Sequence, residues 1–148
     1  MPDLQADICT ICGTPYYALN PEPVYQDERW IAHGMMNIPG WVTVSTRRHA
    51  EGLFGLSDEE ASSMGRVANL IAQAQQEICS AERVYVIGHG EAPGALHWHF
   101  VLIPRSPEIP PAARAVAIMA NIHYLQNPEE ADRVAAAIRE RVTAQAPV

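Results

Sequence analysis

Apolar and polar positions divide the chain into short strand-like runs and two long helical stripes. Trp30 to Gly34 and Trp41 to Thr46 are rich in β-branched and aromatic residues. They flank the turn-prone Asn37-Ile38-Pro39-Gly40, a pattern that predicts neighbouring strands of an antiparallel sheet. Ser57-Asp58-Glu59-Glu60 reads as a capping box, in which the Ser57 hydroxyl and the Glu60 carboxylate each take a backbone amide at the start of a helix. Met64, Val67, Ile71, Ala74 and Ile78 then recur at spacings of three and four, opposite Arg66, Gln73, Gln76 and Glu77. That stripe predicts one long core helix.

Arg83 to Gly88 is a further β-branched run, His89 to Gly94 a loop, and Ala95 to Arg105 another strand. Pro107 to Pro111 excludes regular structure, and Ala112 to Tyr124 is expected to form a short helix. Asn127-Pro128-Glu129-Glu130 repeats the capping signal, and Ala131, Val134, Ala135, Ile138 and Val142 make a second stripe. Strands, long helix, strands and final helix, without internal repeats, predict an α+β domain.

Composition narrows the function classes. A chain of 148 residues, 48% hydrophobic and 18% charged, matches one globular domain. Its longest apolar runs fall short of the roughly 18 residues that span a bilayer, and the Met1 to Asp7 segment has no basic and apolar leader. A cytoplasmic location is expected. A formal net charge of −7 argues against nucleic-acid or anionic membrane partners, whose binding rests on Lys and Arg. Three cysteines do not suggest a disulfide framework, and Cys79 at the end of the long helix reads as an inert thiol.

Chemistry concentrates in Ala95 to Arg105. Alternation along an extended strand sets His97, His99, Val101 and Ile103 on one side. Imidazoles held this rigidly can bind a metal, accept a phosphoryl group or move a proton. Cys9-Thr10-Ile11-Cys12 has the spacing of a zinc knuckle, which needs two more ligands from elsewhere. Arg47-Arg48-His49 follows a strand end, from which a histidine can face an adjacent strand. The glycine-rich Gly90 to Gly94 loop lets backbone approach a ligand closely.

Taken in order, these features resemble the histidine triad (HIT) superfamily of nucleotide hydrolases and nucleotidyl transferases. The match runs from the Cys-x-x-Cys through the strand pair around Pro39-Gly40, the basic pair before His49, Leu56-Ser57-Asp58-Glu59-Glu60, and the Gly-Glu loop to a histidine strand closed by Pro104-Arg105. The resemblance implies a HIT-like fold over the whole chain: a core of about residues 8–106 with a helical tail over about 107–146, built on an antiparallel sheet of about five strands. One long helix and a C-terminal helix pack on that sheet.

The family's signature strand has three alternating histidines, and this chain has two. Counting back from Pro104-Arg105 makes His97 the first, His99 the nucleophile in the middle, and Val101 the third. Counting forward from Gly90-Glu91 makes Ala95 the first, His97 the nucleophile and His99 the third. The first register is preferred because zinc-bearing members hold their ion with the cysteine pair, the histidine after the basic pair and the first triad histidine. Those positions are Cys9, Cys12, His49 and His97 here, a closed set that implies a structural Zn²⁺.

His99 would then form a covalent nucleotidyl intermediate at an α-phosphate. By the same resemblance, His33 stands where an aspartate usually meets the ribose hydroxyls, and His89 near a usual asparagine at the phosphates. Gly94 lies in the loop whose amides face the phosphates, although a usual Gln-Ser pair is missing there. The resemblance implies a homodimer acting on a small nucleotide. Its galactose-phosphate uridylyl transferase branch is active without a third histidine, while Val101, His33 and His89 keep open an alternative, a catalytically silent nucleotide-binding or regulatory module.

Overall fold

The structure is a computed structural model that describes residues 9, 11, 12, 22–35, 37–92 and 95–145. Its strands are β1 (Tyr25–Gln26), β2 (Trp30–Gly34), β3 (Val42–Thr46), β4 (Arg83–Gly88), β5 (Glu91–Ala92), β6 (Ala95–Leu96) and β7 (His99–Arg105). Its α-helices are α1 (Asp58–Cys79), α2 (Ile122–Leu125) and α3 (Pro128–Gln145). Five strands form one antiparallel sheet in the order β1-β2-β3-β7-β4, and β5 pairs with β6 in a separate ribbon.

The hairpin between β2 and β3 turns where the sequence places Asn37 and Gly40, both with positive φ. Glycine is required at position 40, because an added Cβ would stand 2.6 Å from the Cys79 sulfur. Helix α1 starts on the predicted box. Ser57 Oγ accepts from the Glu60 amide, and the Glu60 carboxylate accepts from the Ser57 amide at 2.8 Å.

One face of the sheet, through Trp30, Ala32, Val42, Val44, Phe100 and Leu102, packs on Val67, Ile71 and Ala74 of α1 and on Val134, Ile138 and Val142 of α3. The C-terminal helix therefore belongs to the main core. The opposite face has its own apolar cluster, in which Trp41, Val101 and Ile103 meet Ile118, flanked by Met119, Ile122 and Leu125. Adjacent residues Leu102 and Ile103 are both fully buried, so β7 is covered on both sides and reads as a continuous apolar run. Burying each such side chain contributes about 1.5–3 kcal/mol.

Three local expectations change. The strand predicted over Ala95 to Arg105 is interrupted at His97 and Trp98, where the Trp98 amide donates to the Ala50 carbonyl at 2.5 Å instead of to a sheet neighbour. Residues 111–125 form 3-10 turns, Pro111–Ala113 and Ala115–Asn121, before the single α-turn of α2, since Pro110-Pro111 and the positive φ of Ala115 prevent one continuous helix. Ile78, the last residue of the α1 stripe, is 37% exposed. Its place in the core is taken by Gln75, which is fully buried and donates to the carbonyls of Gly40 and Leu102 at 2.8 and 3.0 Å.

Candidate active site and metal centre

Three chain segments meet where β3 ends and β7 begins. Beyond β3 the chain passes through Arg47 and Arg48 to His49. Arg48 fixes that passage by donating to both carboxylate oxygens of Glu60, at 3.0 and 2.8 Å, and to the Gly55 carbonyl. The Trp98–Ala50 bond ties the same passage to the segment carrying His97. Residues Cys9 and Cys12 complete the convergence.

Cys9, Cys12, His49 and His97 place one ligand atom each within 4.8 Å of one another. Cys12 Sγ lies 3.2 Å from Nδ1 of His49 and 3.2 Å from Nδ1 of His97, and Cys9 Sγ lies 3.6 Å from the latter. Zn–S and Zn–N bonds of about 2.0–2.3 Å arranged tetrahedrally require donors about 3.3–3.8 Å apart, so these spacings fit a zinc ion. The tautomer of His97 fits as well. Its Nε2 is 2.7 Å from the Thr46 carbonyl and carries the proton donated there, which leaves the Nδ1 lone pair facing the sulfurs. Burial lowers the His97 pKa below the usual imidazole value, favouring the neutral ring that a metal ligand needs.

His99 opens β7 and faces elsewhere. Its Nδ1 lies 2.7 Å from the His97 carbonyl. That acceptor fixes the proton on Nδ1 and leaves Nε2 with a lone pair. Burial first, and the neighbouring His89 after it, lower the His99 pKa despite the opposing bond to His97. A neutral imidazole with one nitrogen anchored to backbone is suited to nucleophilic attack.

His89 stands beside it, with ring centres 6.0 Å apart and planes at 69°. The Glu91 amide donates to His89 Nδ1 at 3.1 Å. His33 is buried on β2, in the sheet row that continues through Thr43 to Val101. Ser45 occupies the next row, opposite His99. Gly94 lies outside the described residues. Val101, two positions beyond His99, is 5% exposed within the second apolar cluster.

Sequence reasoning missed Thr46 as the acceptor for His97 and treated Glu60 only as a helix cap. The carboxylate of Glu60 also anchors Arg48, and that pairing holds its pKa below the usual carboxylate value. The signal was the position of Arg48 immediately before His49.

No protein-family model matches the chain, and no curated protein sequence matches it. Solved structures do. A zinc-bound histidine triad family protein from Mycobacterium smegmatis superposes with a TM-score of 0.65 at 16% identity, covering 94% of this chain and 96% of that one. A histidine triad protein from Sinorhizobium meliloti gives 0.67 at 18% identity, over 87% and 95% of the two chains. The diadenosine triphosphate hydrolase of Plasmodium falciparum gives 0.62 at 12% identity, over 84% and 78%. On these superpositions the chain, with its five-stranded antiparallel sheet, long capped helix and C-terminal helix, has the histidine triad fold.

Proposed function

We propose that the protein is a nucleotide hydrolase or nucleotidyl transferase that works at an α-phosphate through His99, with a structural zinc ion held by Cys9, Cys12, His49 and His97. The observation that carries this reading is the bond from His99 Nδ1–H to the His97 carbonyl, which leaves Nε2 as the attacking atom. In the first step the Nε2 lone pair forms a P–N bond while the bond from phosphorus to the leaving group breaks. In the second, the oxygen of water or another acceptor forms a P–O bond and gives up its proton to solvent, and the P–N electron pair returns to the imidazole. His89, His33 and the Gly94 loop are the proposed substrate contacts. A closed four-donor zinc site supplies orientation and folding energy and leaves no position for an activated water.

The test is covalent trapping. Incubation with α-labelled nucleoside phosphoramidates or dinucleotide polyphosphates, followed by an alkaline denaturing quench that preserves P–N bonds, is expected to label wild type and leave His99→Ala unlabelled. Label that persists in His99→Ala would remove His99 from this role. The burial of Val101 favours a second reading, a catalytically silent nucleotide-binding module, which predicts nucleotide binding without label.

The expected assembly is a homodimer in the cytoplasm. Strand β4 is one edge of the sheet, and on it Val86 is 62% exposed. Val86 lines an apolar hollow of about 400 Å³ together with Leu53, Met64, Ala68, Trp98 and Phe100. A second copy pairing β4 with β4 would satisfy the edge and cover the hollow from both sides. Val86→Lys is expected to halve the mass seen by sedimentation equilibrium, and a wild type that runs as a monomer would exclude the dimer. Among the described residues no helix is long and apolar enough to cross a membrane.

A further inference from the structure

Of the three cysteines, two stand at the proposed metal centre, and solvent meets them unequally. Cys9 is 4% exposed and the neighbouring His97 is fully buried, whereas Cys12 is exposed. The centre is therefore open to small solutes on the Cys12 side. Cys9 is close at hand: the Cys12 amide donates to its sulfur at 3.5 Å, and both sulfurs belong to the cluster of donor atoms that lie within 4.8 Å of one another. An accessible thiolate with a second thiolate beside it is the arrangement in which a sulfenic acid is resolved to a disulfide. The third thiol lacks both properties. Cys79 is half-buried against the Gly40 turn, and burial pushes its pKa up to about 11, so it stays protonated and unreactive.

We infer that Cys9 and Cys12 are a peroxide-responsive pair: Cys12 is oxidised first, Cys9 resolves it to a disulfide, and the metal centre loses both of its sulfur donors. The inference rests on the zinc set given above, and its effect on catalysis rests on the reading of His99. The Cys12 thiolate attacks one oxygen of hydrogen peroxide, an S–O bond forms, the O–O bond breaks and hydroxide leaves. The Cys9 thiolate then attacks the Cys12 sulfur, an S–S bond forms and the S–O bond breaks, releasing a second hydroxide. Both hydroxides take protons from solvent. The two sulfurs together give up two electrons and peroxide gains them, and a thiol reductant returns them.

His49 and His97 alone do not make the four-donor set of a structural zinc site. The consequence runs along the chain to β7. His97 keeps its bond to the Thr46 carbonyl but loses what held its Nδ1. Its own carbonyl, the acceptor for His99 Nδ1–H, then loses its fixed position. Peroxide thereby acts on the nucleophile without touching it.

The experiment treats the full-length, zinc-loaded protein with hydrogen peroxide. It follows peptide mass mapping of the thiols, zinc release to a chromogenic chelator, the imidazole ¹⁵N shifts of His99, and turnover of nucleoside phosphoramidates. The expected result is a Cys9–Cys12 disulfide with zinc released in step, both reversed by dithiothreitol and added zinc. Cys79→Ser should respond like wild type, and alkylation of untreated protein should modify Cys12 at least about tenfold faster than Cys79. The His99 shifts should move from those of one tautomer toward an average of two, and turnover should fall as the disulfide forms. Preferential reaction of Cys79, over-oxidation of Cys12 without a disulfide, or a disulfide that leaves zinc bound would overturn the inference. Unchanged His99 shifts after complete oxidation would overturn it too. A wild type that carries no zinc removes the tetrad and this inference with it. A wild type that turns over no nucleotide removes the reading of His99 alone, and the thiol, zinc and ¹⁵N measurements still decide this one.

Discussion

The carbonyl oxygen of His97 accepts a hydrogen bond from Nδ1–H of His99, while the ring of His97 faces the two cysteines. One residue therefore links the proposed metal centre to the proposed nucleophile through its side chain on one side and its backbone on the other. Chelation of zinc is expected to loosen both ends. Metal analysis should find one zinc per chain in wild type and a large loss in Cys9→Ser or Cys12→Ser. Tm should fall on treatment with a chelator, because an ion bound only to the folded state stabilises it by mass action. A chelator-insensitive Tm together with unchanged zinc content in Cys9→Ser would refute the tetrad.

Restoring a third histidine should fail. Val101→His places a polar ring in an apolar cluster of 5% exposure, which is expected to cost about 2–4 kcal/mol of unfolding free energy. It should bring no gain in turnover, because the new ring cannot reach substrate through Ile118. Urea denaturation and steady-state kinetics on the same variant check both halves. A faster, equally stable variant would mean that the segment over Val101 opens.

The Arg48–Glu60 pair predicts an acid-sensitive passage to His49. Glu60 has a folded pKa below its ordinary 4.5, so its stabilisation is fully present above pH 4.5 and is lost as pH falls through the folded value. Glu60→Gln is expected to cost about 1–2 kcal/mol at neutral pH, discounted because Arg48 is half exposed. It should also flatten the stability profile between neutrality and the acid limb, as read by chemical denaturation at a series of pH values. A Glu60→Gln variant that keeps the wild-type acid slope would contradict the assignment.

Gln75 is the buried polar group whose loss should be felt most in the main core. Gln75→Leu leaves the carbonyls of Gly40 and Leu102 without their donor, and a cost of about 1–3 kcal/mol is expected. Hydrogen exchange should locate the effect at the β2–β3 turn and the middle of β7.

Much of this architecture was legible in the sequence because it follows from local rules. The Ser57 box, the Asn37 to Gly40 turn and the Asn127-Pro128 start each need only residues that are neighbours along the chain. The ligand spacing of Cys9 and Cys12 was equally plain, and the order of motifs supplied His49 and His97. What escaped were relations across the fold. Gln75 carries no signal of its burial because its acceptors lie 35 and 27 residues away. The break at His97 and Trp98 depends on Ala50, and Val101 read as a lost catalytic residue before the packing of Ile118 made it a core position. Residues 111–121, whose composition permits a helix, form 3-10 turns over the sheet instead, and only Ile122–Leu125 make an α-turn.

The tautomers of both central histidines are set by main-chain oxygens, Thr46 for His97 and His97 for His99. Side-chain mutagenesis does not reach that carbonyl. An alanine at position 46 removes the Thr46 hydroxyl, which lies 3.1 Å from the same His97 Nε2, but keeps the carbonyl at 2.7 Å. Altering the acceptor itself, by replacing the peptide bond after Thr46 with an ester through chemical ligation, would weaken that oxygen while leaving every side chain in place.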